Sequence, residues 1–460
     1  MRTRPLVIIA VAGALLAAGC GGGRAVGNPV QPSAPSGTVP AADAELGLRN
    51  PQFWYQAIPA GANLRQKFGD VFLVAAAPGG TNRETLDEKT MVDEIHQAGA
   101  RAFRYVQAYW YPANQPFDGL DLAQHLEWAY CKEGDQPLQG RGGPKKPWYF
   151  MDNNERAWHD YFRGFLLKLK ADGWDGVMFD RGMVALAGGT GPGGEIWHET
   201  STCTQDPVTP GATFSDAFVG MMALVKSTGL QVLQNYGMSI FDPLTPFRPN
   251  PRDPACQRRD WAECKPISDG IEYADYWVDE AVAHPRDENF LFDFQANRAN
   301  EKDPRFGGKV LGLITPGTLG GDVTRDNVYF QWARVKIFNM PLGVFTGDDN
   351  CNGKLDGLCN RRGLYKELND LRLGAPLTEM PDKVACEANA EVNCVWVRPY
   401  RNGASVVNVT GIAKVVTVSL AGATCRNVVS VIDGASLGPC GGNLKIDLPP
   451  WSGRPLRFER

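Results

Sequence analysis

At 460 residues, with 43% hydrophobic and 21% charged side chains, the chain has the composition of a globular protein of roughly two to four domains. Collagen, coiled coil, a wholly disordered chain and a polytopic membrane protein are excluded, and a formal charge of -4 without any Lys/Arg run argues against nucleic acid as a partner. The five histidines form no His-x-x-x-His pair, so chemistry is expected to rest on carboxylates, with no metal or other cofactor.

Residues 1–19 place Arg2 and Arg4 before an apolar run from Leu6 to Ala18, too short for a mature membrane span but suited to a signal-peptide core. The stretch Leu15-Leu16-Ala17-Ala18-Gly19-Cys20 resembles a bacterial lipoprotein signal, which implies lipid on Cys20, a membrane anchor and a place in the cell envelope facing the periplasm or exterior. An ordinary secretory signal is the alternative. Residues 20–50, rich in Pro, Gly, Ala and Ser, read as a disordered tether.

With Cys20 lipidated, ten cysteines remain, an even number as disulfides require. Cys256 with Cys264, Cys351 with Cys359, Cys386 with Cys394 and Cys425 with Cys440 are close in sequence, and Cys131 with Cys203 pairs by elimination. No Cys-x-x-Cys supports a zinc site instead.

Between about 51 and 380, short apolar runs alternate with helix-period segments, the pattern of βα units on a parallel sheet. Asp70–Ala76 is predicted as the first strand, a helix follows over 84–98 with Thr85 and Glu88 as a capping box, and Ala102–Tyr109 and Trp148–Asp152 are the second and third strands. Trp158, Tyr161, Phe162, Phe165 and Leu169 form a buried helical stripe ended at Gly173, and Asp175–Asp180 is the fourth strand. Later strands are expected at Leu230–Asn235, Tyr273–Asp279, Phe290–Asp293, Val310–Ile314 and Leu342–Thr346, with a helix carrying Val328, Trp332 and Val335. About eight strands and no Gly-x-Gly-x-x-Gly after a strand favour a (β/α)8 TIM barrel over an open dinucleotide-binding sheet. From 381 to 460 the helices stop, and short β-rich runs separated by Gly-containing turns predict a small C-terminal all-β sandwich.

In such a barrel, polar residues closing strands mark the active face. Asp180 is the leading candidate; a helix cap or an ion pair with Arg181 is the alternative. Asp175, at the other end of that strand, reads as structural. Asn235 closes the next strand, and Asp279-Glu280 closes the sixth, with Glu280 the preferred proton donor and Asp279 its competitor. Asp152 and Asp348 close other predicted strands, and Tyr109, Trp110 and Tyr111 could stack on a sugar or anchor their loop. Two carboxylates suit glycosidic cleavage, one protonating the leaving oxygen while the other attacks or stabilises the oxocarbenium-like centre. Asp348-x-Asn350-x-Asn352-Gly353-x-x-Asp356 has the order of a Ca²⁺ loop, yet Cys359 stands where the bidentate Glu belongs, and a disulfide-closed turn explains the same residues.

The fourth strand, Gly173-Trp-Asp-Gly-Val-Met-Phe-Asp180, together with the acids at 279–280 and Leu373-Gly-Ala-Pro-Leu377, resembles bacterial TIM-barrel glycoside hydrolases of the endo-α-1,4-polygalactosaminidase-like group. The tail Leu448–Leu456 is similar to the last strand of the sandwich that follows such barrels. The resemblance implies a retaining geometry in which Asp180 is the nucleophile and Glu280 the acid/base, a polysaccharide substrate and a monomeric chain. Arg181 departs from the pattern, where relatives often carry Asn. The competing class is a non-catalytic carbohydrate-binding lipoprotein on a degenerate barrel.

Overall fold

The computed structural model describes residues 49–54, 63–77, 87–107, 110–112, 117–131, 136–140, 148–180, 199–235, 273–279, 309–314, 325–346, 366–388 and 393–460. Eight parallel strands close into a barrel: β1 (Asn50–Trp54), β2 (Val71–Ala76), β3 (Arg101–Gln107), β7 (Gly176–Asp180), β8 (Gln231–Asn235), β9 (Tyr276–Asp279), β10 (Val310–Ile314) and β11 (Leu342–Thr346). Neighbours follow chain order around the ring, and β1 closes it by pairing with both β2 and β11.

Two strand expectations are corrected. The barrel begins at Asn50–Trp54, so Val71–Ala76 is its second strand. Trp148–Phe150 (β6) is not a barrel strand: it pairs antiparallel with β4 (Trp110–Pro112) and β5 (Gln139–Gly140), a small sheet built within the excursion after β3. The two shifts cancel, leaving Asp180 at the end of the fourth strand and Asp279 at the end of the sixth. The expected strand at 290–293 lies outside the described residues.

Strand alternation divides the core. Phe53, Phe103, Met178, Leu233, Tyr276, Val278, Leu311 and Leu313 fill the barrel, whereas Ala102, Val177, Val232 and Trp277 face the surrounding helices. Gly176 is required where β7 crosses the barrel, because a Cβ there would lie 2.4 Å from Phe103 Cε1 and 2.6 Å from the Gln231 carbonyl oxygen.

The helices are α1 (Leu64–Phe68), α2 (Glu88–Gln97), α3 (Arg156–Ala171), α4 (Phe214–Ser227), α5 (Arg325–Ile337) and α6 (Lys366–Asn369). The α2 helix starts later than the predicted capping box: Asp87 caps it by accepting from Thr90 N at 2.9 Å. Trp158, Phe162, Phe165 and Leu169 of α3 are buried as the stripe predicted, and Tyr161 is half-buried. Thr213 and Asp216 form a reciprocal capping box on α4.

Antiparallel sheets follow. One runs β12 (Asp382–Cys386), β13 (Cys394–Tyr400), β14 (Gly403–Asn408), β19 (Ser452–Glu459), β16 (Asn427–Ser430), β17 (Ser436–Gly438); the other pairs β15 (Lys414–Val418) with β18 (Leu444–Leu448). Every residue of β13 and β14 is buried, because one face packs on β15 and β18 through Val395, Val397, Val406, Val416 and Ile446 while the other meets α5. From Val328 on, α5 is buried all round between barrel and sheet. Its last carbonyls are capped across this junction: Ser405 Oγ donates to Ala333 O at 2.6 Å, Arg398 Nη1 to Ile337 O at 2.8 Å, and Tyr400 Oη to Lys336 O. Gly453 makes the close approach possible, since a Cβ would meet the Tyr329 carbonyl at 2.5 Å. Disulfides join Cys131–Cys203, Cys386–Cys394 and Cys425–Cys440, as the sequence arithmetic predicts; the other two expected pairs lie outside the described residues.

Candidate active site

At the carboxyl rim, β3, β7 and β8 lie side by side, with Gln107 in register with Asp180. Alternation that puts Phe103 and Met178 inside the barrel puts Tyr105, Gln107 and Asp180 on the same inward phase, at the mouth. Tyr105 Oη donates to Asp180 Oδ2, and Gln107 Nε2 reaches Tyr105 Oη at 2.7 Å and Asp180 Oδ2 at 3.3 Å. Asn235 Nδ2, fully buried at the end of β8, donates to Asp180 Oδ1 at 2.7 Å. The carboxylate is thus fixed through both oxygens by side chains from two neighbouring strands, while remaining half-buried.

These bonds are to side chains of the barrel strands; the residues of the alternative reading, a helix after the strand or an ion pair with Arg181, lie outside the described residues. Asp175 behaves differently: its Oδ2 accepts from Ala102 N and meets His96 Nε2, each at 2.8 Å, which fastens the start of β7 to β3 and to the end of α2. Sequence reasoning missed Tyr105 and Gln107. The signal was there, because a polar residue closes β3 on the inward phase as Asp180 closes β7.

Asp152 serves the small excursion instead of closing a barrel strand. It is 2% exposed, and its oxygens accept from Asn154 N at 2.8 Å and from Thr204 Oγ1. Burial raises its carboxyl above the usual range, partly opposed by those donors. Asn154 and Glu155 complete the clamp: Thr209 N donates to Asn154 Oδ1 at 2.9 Å and Gln205 N to Glu155 Oε2 at 3.0 Å. With Cys131–Cys203 they bind the segment 199–209, which returns from β7 toward α4, to the excursion that follows β3. Tyr111 anchors that excursion, its hydroxyl donating to Gln107 O at 2.6 Å and its ring packing edge-on against Phe117 and Trp158. Trp110 lies in β4 and Asp279 in β9, although their side chains lie outside the described residues, as do Cys20, Tyr109, Arg181, Glu280, Asp348 and the whole 348–356 loop.

No protein family model and no curated protein matches the chain. Among solved structures it is similar to an α-amylase from Geobacillus thermoleovorans complexed with acarbose, with a TM-score of 0.50 and 11% identity over 90% of this chain and 99% of that one. An α-amylase from Lactobacillus plantarum matches at TM-score 0.50 and 12% identity, covering 90% and 99% of the two chains. One from Malbranchea cinnamomea matches at 0.50 and 10%, covering 90% and 97%. At these identities the likeness is one of fold, a (β/α)8 barrel with antiparallel sheets after it. The fold alone hosts many chemistries.

Proposed function

We propose that the chain is an exported, lipid-anchored glycoside hydrolase that cleaves a polysaccharide with two carboxylates and retention of configuration. The observation that carries this reading is Asp180, an inward carboxylate closing the fourth barrel strand and held by Tyr105, Gln107 and Asn235. Among the described residues its Oδ2 takes two donors and its Oδ1 one, which leaves Oδ1 a lone pair for attack on an anomeric carbon. As that bond forms, the glycosidic bond breaks and the leaving oxygen takes a proton from the second acid; water then releases the sugar. Strand phase supports Glu280 for that role, because Tyr276 and Val278 carry the inward phase of β9 and the next such position in sequence is 280. Similarity of fold to α-amylases supports the substrate class, and three disulfides among the described residues support an oxidising compartment. Lipidation of Cys20 rests on the signal sequence alone.

Reducing-sugar release from a panel of bacterial and plant polysaccharides, by the form starting after Cys20, tests the reading. Asp180→Asn and Glu280→Gln are expected each to lose about a hundredfold or more, and the first anomer seen by proton NMR is expected to keep the substrate's configuration. Activity surviving Asp180→Asn refutes the nucleophile; glycan binding without cleavage by the parent converts the reading to a carbohydrate-binding lipoprotein.

A further inference from the structure

The tip of the C-terminal sheets where β14 and β18 end is built as one piece. Asn408, fully buried, donates through Nδ2 to the carbonyls of Ile412, Leu448 and Pro449 at 2.9, 3.2 and 2.8 Å. Its Oδ1 accepts from Thr410 N at 3.0 Å and from Thr410 Oγ1 at 2.7 Å, and Trp451 N donates to Thr410 O at 3.2 Å. The loops 409–413 and 449–451 are thereby tied to each other, and Ile412, Pro449, Pro450 and Trp451 stand exposed on their outer side. Ile412, Val415 and Trp451 are three of the six large exposed apolar side chains among the described residues, so apolar surface is concentrated at this end.

Trp451 is also out of place by its backbone. It has φ 51°, and the other three non-glycine residues in the left-handed region among the described residues are Asn63, Asp118 and Asn339, types that tolerate it. Glycine would make the same turn without strain. The indole is backed edge-on by buried Phe330 of α5, centroids 6.3 Å apart, yet the residue keeps 36% of its surface, so burial alone does not account for a tryptophan held there. Strained residues that persist in this way cluster at ligand-holding sites.

We propose that Trp451, with Ile412 and Glu387 beside it, is a second carbohydrate site outside the barrel mouth, a platform on which a pyranose unit of a polysaccharide stacks. The apolar C–H face of such a ring suits the negative face of an indole. Its hydroxyl rim suits Glu387, whose Oε1 and Oε2 each take one donor among the described residues, Gly411 N at 3.0 Å and Asn393 Nδ2 at 3.4 Å, and so keep accepting capacity. A second copy of the chain fits less well, since four apolar side chains fall well short of the roughly 800 Å² per partner of a stable dimer. An anionic lipid surface is opposed by Glu387 and by exposed Asp447 opposite Val415. The platform is also on the side of the mouth. Between two parallel strands α5 runs from the carboxyl rim to the amino rim; Gly453 lies against Tyr329 and Phe330, and Ser405, opposite Pro455, meets Ala333 one turn later. The sheet end that carries Trp451 is therefore the end nearer the mouth, where a chain leaving the barrel can reach it. The inference takes its ligand class from the glycan reading, and rests on neither Asp180 nor hydrolysis.

Affinity electrophoresis in gels cast with soluble starch, galactan, mannan or glycol chitin provides the test, with Asp180→Asn as the starting protein so that no probe is consumed. At least one polysaccharide is expected to retard Asp180→Asn, and adding Trp451→Gly, which suits the left-handed turn and removes only the ring, is expected to weaken that binding about tenfold. Where Trp451→Gly melts early, Ile412→Asp, at a 53% exposed position, replaces it and is expected to weaken binding several-fold. Retardation equal in all variants, or by no polysaccharide, overturns the inference. So does a Trp451-dependent dimer in sedimentation, or Trp451-dependent flotation with phosphatidylglycerol vesicles. Hydrolysis by the parent with Trp451-independent retardation sinks this inference alone, whereas Trp451-dependent retardation without hydrolysis by the parent sinks only the glycosidase reading.

Discussion

Lys336 offers a sharp test of how barrel and sheet are joined. It lies in α5, 4% exposed, with its ammonium donating to Asn50 Oδ1 and Met340 O, both at 2.9 Å, and 5.8 Å from the centre of the Trp332 ring. No carboxylate is within ion-pair distance among the described residues, so burial pushes the amine down to about 7 from its ordinary 10.5. The unfolded chain therefore binds one more proton than the fold between about pH 7 and 10.5, and stability rises with pH across that window. At about 1.4 kcal/mol per unit, the full span of about 3.5 units has a ceiling near 5 kcal/mol. In Lys336→Met the slope is removed, while Met340 O loses its donor at a cost of about 1 to 3 kcal/mol. Urea unfolding of both proteins from pH 6 to 9.5 is expected to show the variant's relative stability falling by about 3 kcal/mol over the upper 2.5 units. A gap between the two that stays constant with pH would refute the reasoning.

The remaining predictions separate structure from chemistry. Asp175→Ala is expected to cost about 1 to 3 kcal/mol in denaturant unfolding, through the lost Ala102 N and His96 bonds, and to leave turnover per folded molecule unchanged. Gly176→Ala forces a Cβ against the Gln231 carbonyl, which cannot move without opening the β7–β8 pairing, and a loss of at least about 3 kcal/mol in thermal unfolding is expected. Asp152→Asn removes a carboxyl whose raised titration weakens the fold as pH climbs out of the acid range; from about pH 4 to 7 the stability gap is expected to move in the variant's favour.

Much of the barrel was legible because parallel strands buried on both faces read as short apolar runs between amphipathic helices. Gly176–Asp180 is such a run, and strand length alone set Asp175 and Asp180 at opposite rims. Asn50–Trp54 escaped notice because Asn50, Pro51 and Gln52 give it the texture of the tether before it; its strand character comes from pairing with β2 and β11, about 20 and 290 residues away in sequence. Trp148–Phe150 misled in the opposite sense. An apolar triplet in the right rhythm carries no information on whether its partner is a parallel barrel strand or the antiparallel Trp110–Pro112. Asp152 followed that error to the mouth, whereas the buried run Asp152-Asn153-Asn154-Glu155 serves the clamp on 201–209.

The two rims of the barrel use polar residues in different ways, and the difference bears on where function lies. At the amino-terminal rim, a polar side chain at or just before each of three strands accepts from the backbone of the preceding neighbour: Asp175 from Ala102 N and Asp275 from Val232 N at 2.8 Å, and Asn50 from Leu342 N at 3.0 Å. Each bond stands in for a ladder bond and ties one strand to the next, so these side chains are part of the sheet. At the carboxyl rim Asp180 is held by three side chains and by no backbone group in those bonds, although its own strand is paired on both sides. A carboxylate whose removal would leave the sheet bonded has no structural reason to be surrounded by Tyr105, Gln107 and Asn235. Asp180 thus belongs to the mouth of the barrel and not to its ladder of hydrogen bonds.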